Sequence, residues 1–138
     1  MAELYLDIIT PSKNIFSGEI KSITLPGTQG GFQVLKNHAP IISTLEIGVV
    51  KIVLADNSIQ NYATGGGTVE VLDNKILLLA DSIERSDEID VERAKDAMER
   101  ASKRLNEKSE NKSIDGVRAE AALARAMNRI KIAEKFGR

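Results

Sequence analysis

The sequence predicts eight to ten short strands that form an antiparallel sandwich or barrel, followed by a C-terminal α-helical hairpin. Three observations predict it. Apolar residues recur at every second position up to about residue 80, between clusters of turn-forming residues. From Asp90 onward they recur every third or fourth position. All eight arginines fall at or after position 85. The expected units are a strand module over 1–85 and a helical module over 86–138.

The strands follow in order. Leu4, Leu6 and Ile8 alternate with Tyr5, Asp7 and Ile9, and Pro11-Ser12 ends that run. Glu19 to Leu25 alternates again, before the turn cluster Pro26-Gly27-Thr28-Gln29-Gly30-Gly31. Phe32 to Leu35, Pro40 to Leu45 and Gly48 to Leu54 are the next apolar runs. Ala55 to Ser58 turns the chain into the weaker run Ile59 to Thr64, and Gly65-Gly66-Gly67 must bend or bulge. Thr68 to Leu72 and Lys75 to Ala80 are joined by Asp73-Asn74, a linker that suits a tight hairpin. No helical period separates these runs, which disfavours a βαβ nucleotide fold.

The first helix starts at Asp90, whose carboxylate can cap the free amides of the first turn. Ala94, Ala97, Ala101 and Leu105 form its apolar stripe. It should fail in the polar stretch Asn106 to Asn111, and Ser113 or Asp115 can cap the second helix. Gly116 softens that helix by about 1 kcal/mol relative to alanine. Its stripe is Ala119, Ala122, Leu123, Ala126, Ile130 and Ala133. Alanine seams allow close approach but bury little area, so the hairpin is weakly held. Straightened into one helix, residues 90–134 would reach roughly 65–70 Å. Both a stable hairpin docked on the sandwich and a conformational switch are open readings.

The totals exclude much. With no cysteine, disulfides, thiol catalysis and thiolate metal sites are ruled out. The net charge of −1 argues against general nucleic-acid binding. Residues 1–83 carry five lysines against eight acids, and 84–138 fourteen basic against twelve acidic residues. No apolar run is long enough for a membrane span, and the N-terminus has no signal-peptide pattern, so a cytosolic setting is expected. A single histidine, His38, makes a zinc site or a charge-relay triad improbable; a turn hydrogen bond beside Ala39-Pro40 is expected instead. Gly65-Gly66-Gly67-Thr68 lacks the Gly-Lys-Ser/Thr of a phosphate loop. Asp87, Glu88, Asp90 and Glu92 crowd a helix start, where carboxylates favour the positive end of the dipole. There is no catalytic constellation.

The arginines are the remaining chemistry. Arg93 and Arg100, with Arg104 after them, share one face of the first helix; Arg118, Arg125 and Arg129 group on the second. A hairpin could bring the two sets together around a polyanion such as a triphosphate, since guanidinium forks bind phosphate oxygens bidentately. The plainer reading is a solvated charged face with pairs such as Asp96–Arg100 and Glu99–Lys103.

The ordered set Phe16-Ser17-Gly18, Gly30-Gly31-Phe32-Gln33-Val34-Leu35, His38-Ala39-Pro40, Gly65-Gly66-Gly67, Leu79-Ala80-Asp81, Ile89-Asp90-Val91-Glu92-Arg93-Ala94 and Arg125-Ala126-Met127-Asn128-Arg129 resembles the ε subunits of bacterial F-type ATP synthases. The resemblance spans essentially the whole chain. It implies a flattened β-sandwich of about ten short antiparallel strands with a C-terminal α-helical hairpin, and a non-catalytic rotor subunit whose sandwich binds the γ subunit and the c-ring, through positions that include Gly30, Gly31, Phe32 and His38. It implies a tail that folds down or extends into the α/β head to block hydrolysis, at the cytoplasmic face of the bacterial cell membrane. It implies no required cofactor, and a regulatory ATP site at Glu84, Ile89, Asp90, Arg93 and Ala94, with Arg100, Arg125 and Arg129 as phosphate or hairpin contacts. The family's loop Gly-Glu-x-Gly-x-x-Pro-x-His is altered, with Gly31, Gln33 and Lys36 at the acid, second glycine and proline. The competing readings are a sandwich adaptor for an unrelated helical partner and a stand-alone nucleotide enzyme.

Overall fold

The structure is a computed structural model and describes residues 3–108 and 116–137. The chain divides into two compact units, 1–85 and 86–138. The first is all strand: β1 Tyr5–Ile9, β2 Asn14–Leu25, β3 Phe32–Leu35, β4 Ile41–Leu54, β5 Ile59–Leu72, β6 Lys75–Ala80 and β7 Ile83–Arg85. Fewer and longer strands appear than the sequence suggests, because two expected breaks do not end their strands. β4 runs through Glu46-Ile47, and β5 runs through its three glycines. β2 begins five residues earlier than the alternation at Glu19 indicates.

The order β1-β6-β5-β4-β2 is closed by a further β1–β2 pairing, so the sheet returns on itself. Most pairs are antiparallel, but β1 and β6 run parallel. The alternation delivers Leu6 and Ile8, Ile23 and Leu25, Val50 and Ile52, Val69 and Val71, and Ile76 and Leu78 to one aliphatic core. Full burial of such side chains contributes about 1.5–3 kcal/mol each, which is how the strand faces offset the chain entropy of the module.

The turns obey local rules. Asp73 and Asn74 both have positive φ, 49° and 63°, as the tight hairpin requires. Asn37, also at positive φ, donates its backbone N–H to Asn74 Oδ1 at 2.6 Å; Asn74 Nδ2 donates back to Asn37 Oδ1 at 3.1 Å. Two asparagines that relieve their own turns thereby tie the β3–β4 connection to the β5–β6 hairpin.

The glycine run marks where β5 changes neighbour. Residues Tyr62 to Thr64 pair with β7, and Gly67 to Leu72 pair with β6. Gly66 and Gly67 sit at φ of 103° and 149°, which only glycine adopts readily. A Cβ on Gly67 would lie 2.3 Å from the Leu79 carbonyl oxygen.

The second unit holds a 3-10 turn at Ser86–Glu88, then α1 Val91–Lys108 and α2 Gly116–Phe136. Asp90 is the N-cap of α1: its Oδ1 accepts the Arg93 N–H at 3.1 Å, and its carbonyl accepts the Ala94 N–H at 3.0 Å. The expected caps Ser113 and Asp115 lie outside the described residues. Ala94 and Ala101 on α1, with Ala119 and Ala126 on α2, are buried along the expected stripes. At the open end of the hairpin, the buried Ser86 hydroxyl donates to the Phe136 carbonyl at 3.2 Å. No helix among the described residues is long and apolar enough to cross a membrane.

Candidate functional site: an arginine groove beside the helix seam

Two grooves, each lined by both helices, flank the alanine seam. On one side Arg93, Asp96, Ala97, Arg100 and Arg129 line a polar groove of about 400 Å³. On the other, Met98, Met127 and Ile130 form the floor of an apolar groove of about 380 Å³, edged by Lys95, Glu99, Lys131 and Glu134. The helical period explains the division. Arg93, Ala97 and Arg100 recur at steps of four and three on the flank of α1 next to its buried stripe, and Met98 lies on the opposite flank.

The polar groove therefore gathers arginines from both helices. With three guanidiniums and one carboxylate on its walls, it carries a formal charge of +2. Its volume falls within the roughly 300–1,000 Å³ of ordinary ligand pockets. Arg93 and Arg100 are exposed, so their attraction for an anion is screened by salt within about 8–10 Å. Among the described residues, no ion pair joins Asp96 to Arg100 or Glu99 to Lys103. The plain reading of this face as helical ion pairs does not hold at these positions.

The other expected nucleotide residues occupy distinct places. Asp90 is exposed and caps the turn that presents Arg93, a positioning role that its geometry alone accounts for. Ile89 is half-buried just before the cap. Ala94 is fully buried and belongs to the seam rather than the groove wall. Arg125 is half-buried on α2, one turn before Arg129. Glu84 belongs to the sandwich unit, on β7 opposite Ala63 of β5, where it is half-buried.

The expected partner contacts lie at the two ends of β3. Gly30 and Gly31 are exposed before it, and Gly30 has φ 122° with open space where a side chain would project. Phe32 opens the strand, half-buried, with its ring against Gly27. His38 follows the strand; its Nδ1 lies 2.6 Å from the Ala39 carbonyl, the turn hydrogen bond expected from the sequence.

Comparison with known proteins then decides the lineage. Residues 3–86 match the family model for the ATP synthase Delta/Epsilon chain, beta-sandwich domain, and residues 87–134 its long alpha-helix domain. The chain is 46% identical over 129 residues to the ATP synthase epsilon chain of Desulforamulus reducens, covering 94% of this chain and 96% of the relative. It is 44% identical over 133 residues to that of Moorella thermoacetica, covering 96% and 98%. The chain belongs to the ATP synthase epsilon-chain family. Its fold also matches a chain in the cryo-EM structure of Euglena gracilis mitochondrial ATP synthase, OSCP/F1/c-ring in rotational state 1. That match has a TM-score of 0.76 at 21% identity, covering 93% of this chain and 79% of the other.

For an epsilon-family chain, two features stand out that sequence reasoning missed. Asp96 and Ala97 line the arginine groove; their spacing of three and four residues from Arg93 was the available signal. The second is a set of exposed apolar residues on the strands of the sandwich unit. Ile9 pairs with Leu79, and Glu70 pairs with Ile42 on one side and Leu77 on the other. Ile42 is 74% exposed, and Leu79 and Ile9 are also exposed. The β5 positions between them are Thr68 and Glu70, so polar side chains separate Ile42 from the Ile9–Leu79 pair.

Proposed function

We propose that this chain is a central-stalk subunit of a bacterial F-type ATP synthase, without catalytic activity of its own. It would couple ion transport to ATP synthesis, with its sandwich against the γ subunit and the c-ring. The observation that carries this reading is the match of both units, in order and nearly end to end, to epsilon chains. In this setting it sits at the cytoplasmic face of the membrane as a peripheral protein. An adaptor for an unrelated helical partner is not favoured, since it gives no reason for a family match in both units. Mixing the chain with the α, β and γ subunits tests the assignment. Incorporation in one copy through γ is expected, and failure to join that complex would overturn it.

We further propose that the helical unit is regulatory. Folded down, it binds ATP through Arg93, Arg100 and Arg129, with Ile89, Asp90, Ala94 and Arg125 supporting the site. Extended, it enters the α/β head and blocks hydrolysis. The convergence of arginines from both helices supports the ligand, because a groove built by two helices exists only while they are paired. A ligand with that requirement stabilises the hairpin by RT ln(1 + [ATP]/Kd), about 2.7 kcal/mol at a hundredfold excess. An alanine seam buries little area per residue, so a term of that size matters to the pairing of the helices. Amide NMR titration of the full chain with ATP and ADP tests it. Saturable shifts around Arg93, Arg100 and Arg129 are expected, at least fivefold weaker (about 1 kcal/mol) in Arg93→Ala. Unchanged affinity in that variant would remove the groove from consideration.

A further inference from the structure

We propose that Ser86 and Gly137 form a latch that keeps the two helices paired, at the one end of the hairpin where the chain does not already join them. The connection from α1 to α2 ties the helices at one end. At the other end only non-covalent contacts oppose separation, so local opening starts there. Ser86 lies at that end, in the 3-10 turn ahead of α1, and α2 packs against this turn. The Ser86 hydroxyl is buried and donates to the Phe136 carbonyl at 3.2 Å. That carbonyl belongs to the last turn of α2, whose oxygens find no amide within their own helix.

Gly137 is what lets the two segments meet. Its N–H donates to the Ala133 carbonyl at 2.9 Å and closes the end of α2. A Cβ at this position would lie 2.3 Å from the Ala133 oxygen and 3.2 Å from the Ser86 carbonyl oxygen. Both are backbone atoms, so a side chain here would force the chain end away from Ser86. The latch acts through its position. Between the helices the seam is built largely of alanine, which buries little area per residue. A bond across the free end therefore weighs on whether the pair stays closed. Ser86, Phe136 and Gly137 line neither groove, so the latch governs the pairing of the helices without touching what those grooves hold. It is independent of the nucleotide reading of the arginine groove.

Amide hydrogen exchange in the full chain, followed by NMR, tests it, with strand β6 as the internal reference. Ser86→Ala removes the donor, and Gly137→Ala displaces the acceptor. Each variant is read on the helix it does not alter: Ser86→Ala at residues 130–133 of α2, and Gly137→Ala at residues 94–97 of α1. Exchange there should quicken by roughly fivefold in both, the effect of losing one hydrogen bond. The double variant should exchange no faster than the faster single variant, because both changes open the same latch. If each substitution speeds exchange only in its own segment, the Ser86–Phe136 bond merely caps α2 and the latch is wrong. If the two effects multiply in the double variant, the residues do not act as one device, and the proposal is likewise overturned.

Discussion

Gly67→Ala should be among the most damaging single-methyl additions in the sandwich, and its cost can be built from the geometry. The residue sits at φ 149°, where a side chain costs about 1–3 kcal/mol in backbone strain. The new Cβ would fall 2.3 Å from the Leu79 oxygen and 2.9 Å from the Ala80 Cα. Both are backbone atoms of the neighbouring strand and cannot swing aside. β5 and β6 must part locally, weakening ladder bonds around the Gly67–Ala80 pair, at about 1 kcal/mol each. The expected loss is about 3–5 kcal/mol, a large share of the roughly 5–15 kcal/mol that holds a domain. Gly66→Ala shares the strain, at φ 103°, but its Cβ meets nothing nearer than 3.4 Å, so about 1–3 kcal/mol is expected. Gly18→Ala has ordinary contact with the Phe16 ring at 3.6 Å and no positive φ. It should be neutral or slightly stabilising. The assay is urea unfolding followed by tyrosine fluorescence, since Tyr5 and Tyr62 both lie in the sandwich and the chain has no tryptophan. If Gly67→Ala shifts the midpoint no more than Gly18→Ala, the close-approach argument is wrong.

Two further outcomes follow from single residues. Asp90→Ala should destabilise the start of α1 by about 1 kcal/mol through loss of the cap on the Arg93 N–H. Asp90→Asn should keep it, as amide exchange over Val91 to Ala94 would report; equal loss in both variants would mean that charge, not capping, holds this turn. Asp56 accepts hydrogen bonds from the Ser58 hydroxyl and N–H, which hold its carboxyl below the ordinary value of 3.8. A depressed folded value contributes stability above pH 3.8 that fades as pH falls through the lower folded value. Asp56→Asn should therefore flatten that part of the acid limb of a stability–pH curve, and an identical limb in the variant would count against the turn as its source.

The core was legible because burial follows strict alternation. Leu4, Leu6, Ile8, Ile76 and Leu78 are recognisable from spacing alone, and so is the hairpin at Asp73-Asn74. Strand ends were less legible. Three glycines look like a break, yet here they carry β5 past a change of neighbour while its bonds to β4 continue on either side. Pairing partners far apart in sequence leave no local trace, so the parallel β1–β6 pair and the Asn37–Asn74 link could not be foreseen. In the helical unit, spacing identified Arg93, Arg100 and Arg129, but the same rule read Asp96 as an ion-pair partner of Arg100. What misled was reach: helical spacing permits that pair without requiring it, and an exposed pair contributes too little energy to fix two side chains.

The return of β1 onto β2 has a consequence for how other chains can take hold of the sandwich. An open sheet offers unpaired amides to any passing strand, which invites both strand-addition partners and fibrils. Here part of that offer is withdrawn, because β1 and β6 are paired along both sides for most of their length and β5 has β4 on one side and β6 or β7 on the other, while β4 meets β2 only over residues 51–54. The outer margins of β3 and β7 are only four and three residues long. Strand addition along β1, β5 and β6 is therefore largely blocked by pairing within the unit. Any chain that docks over those strands must read side chains on their faces, so recognition there rests on residue identity rather than on backbone pairing that any sequence could imitate.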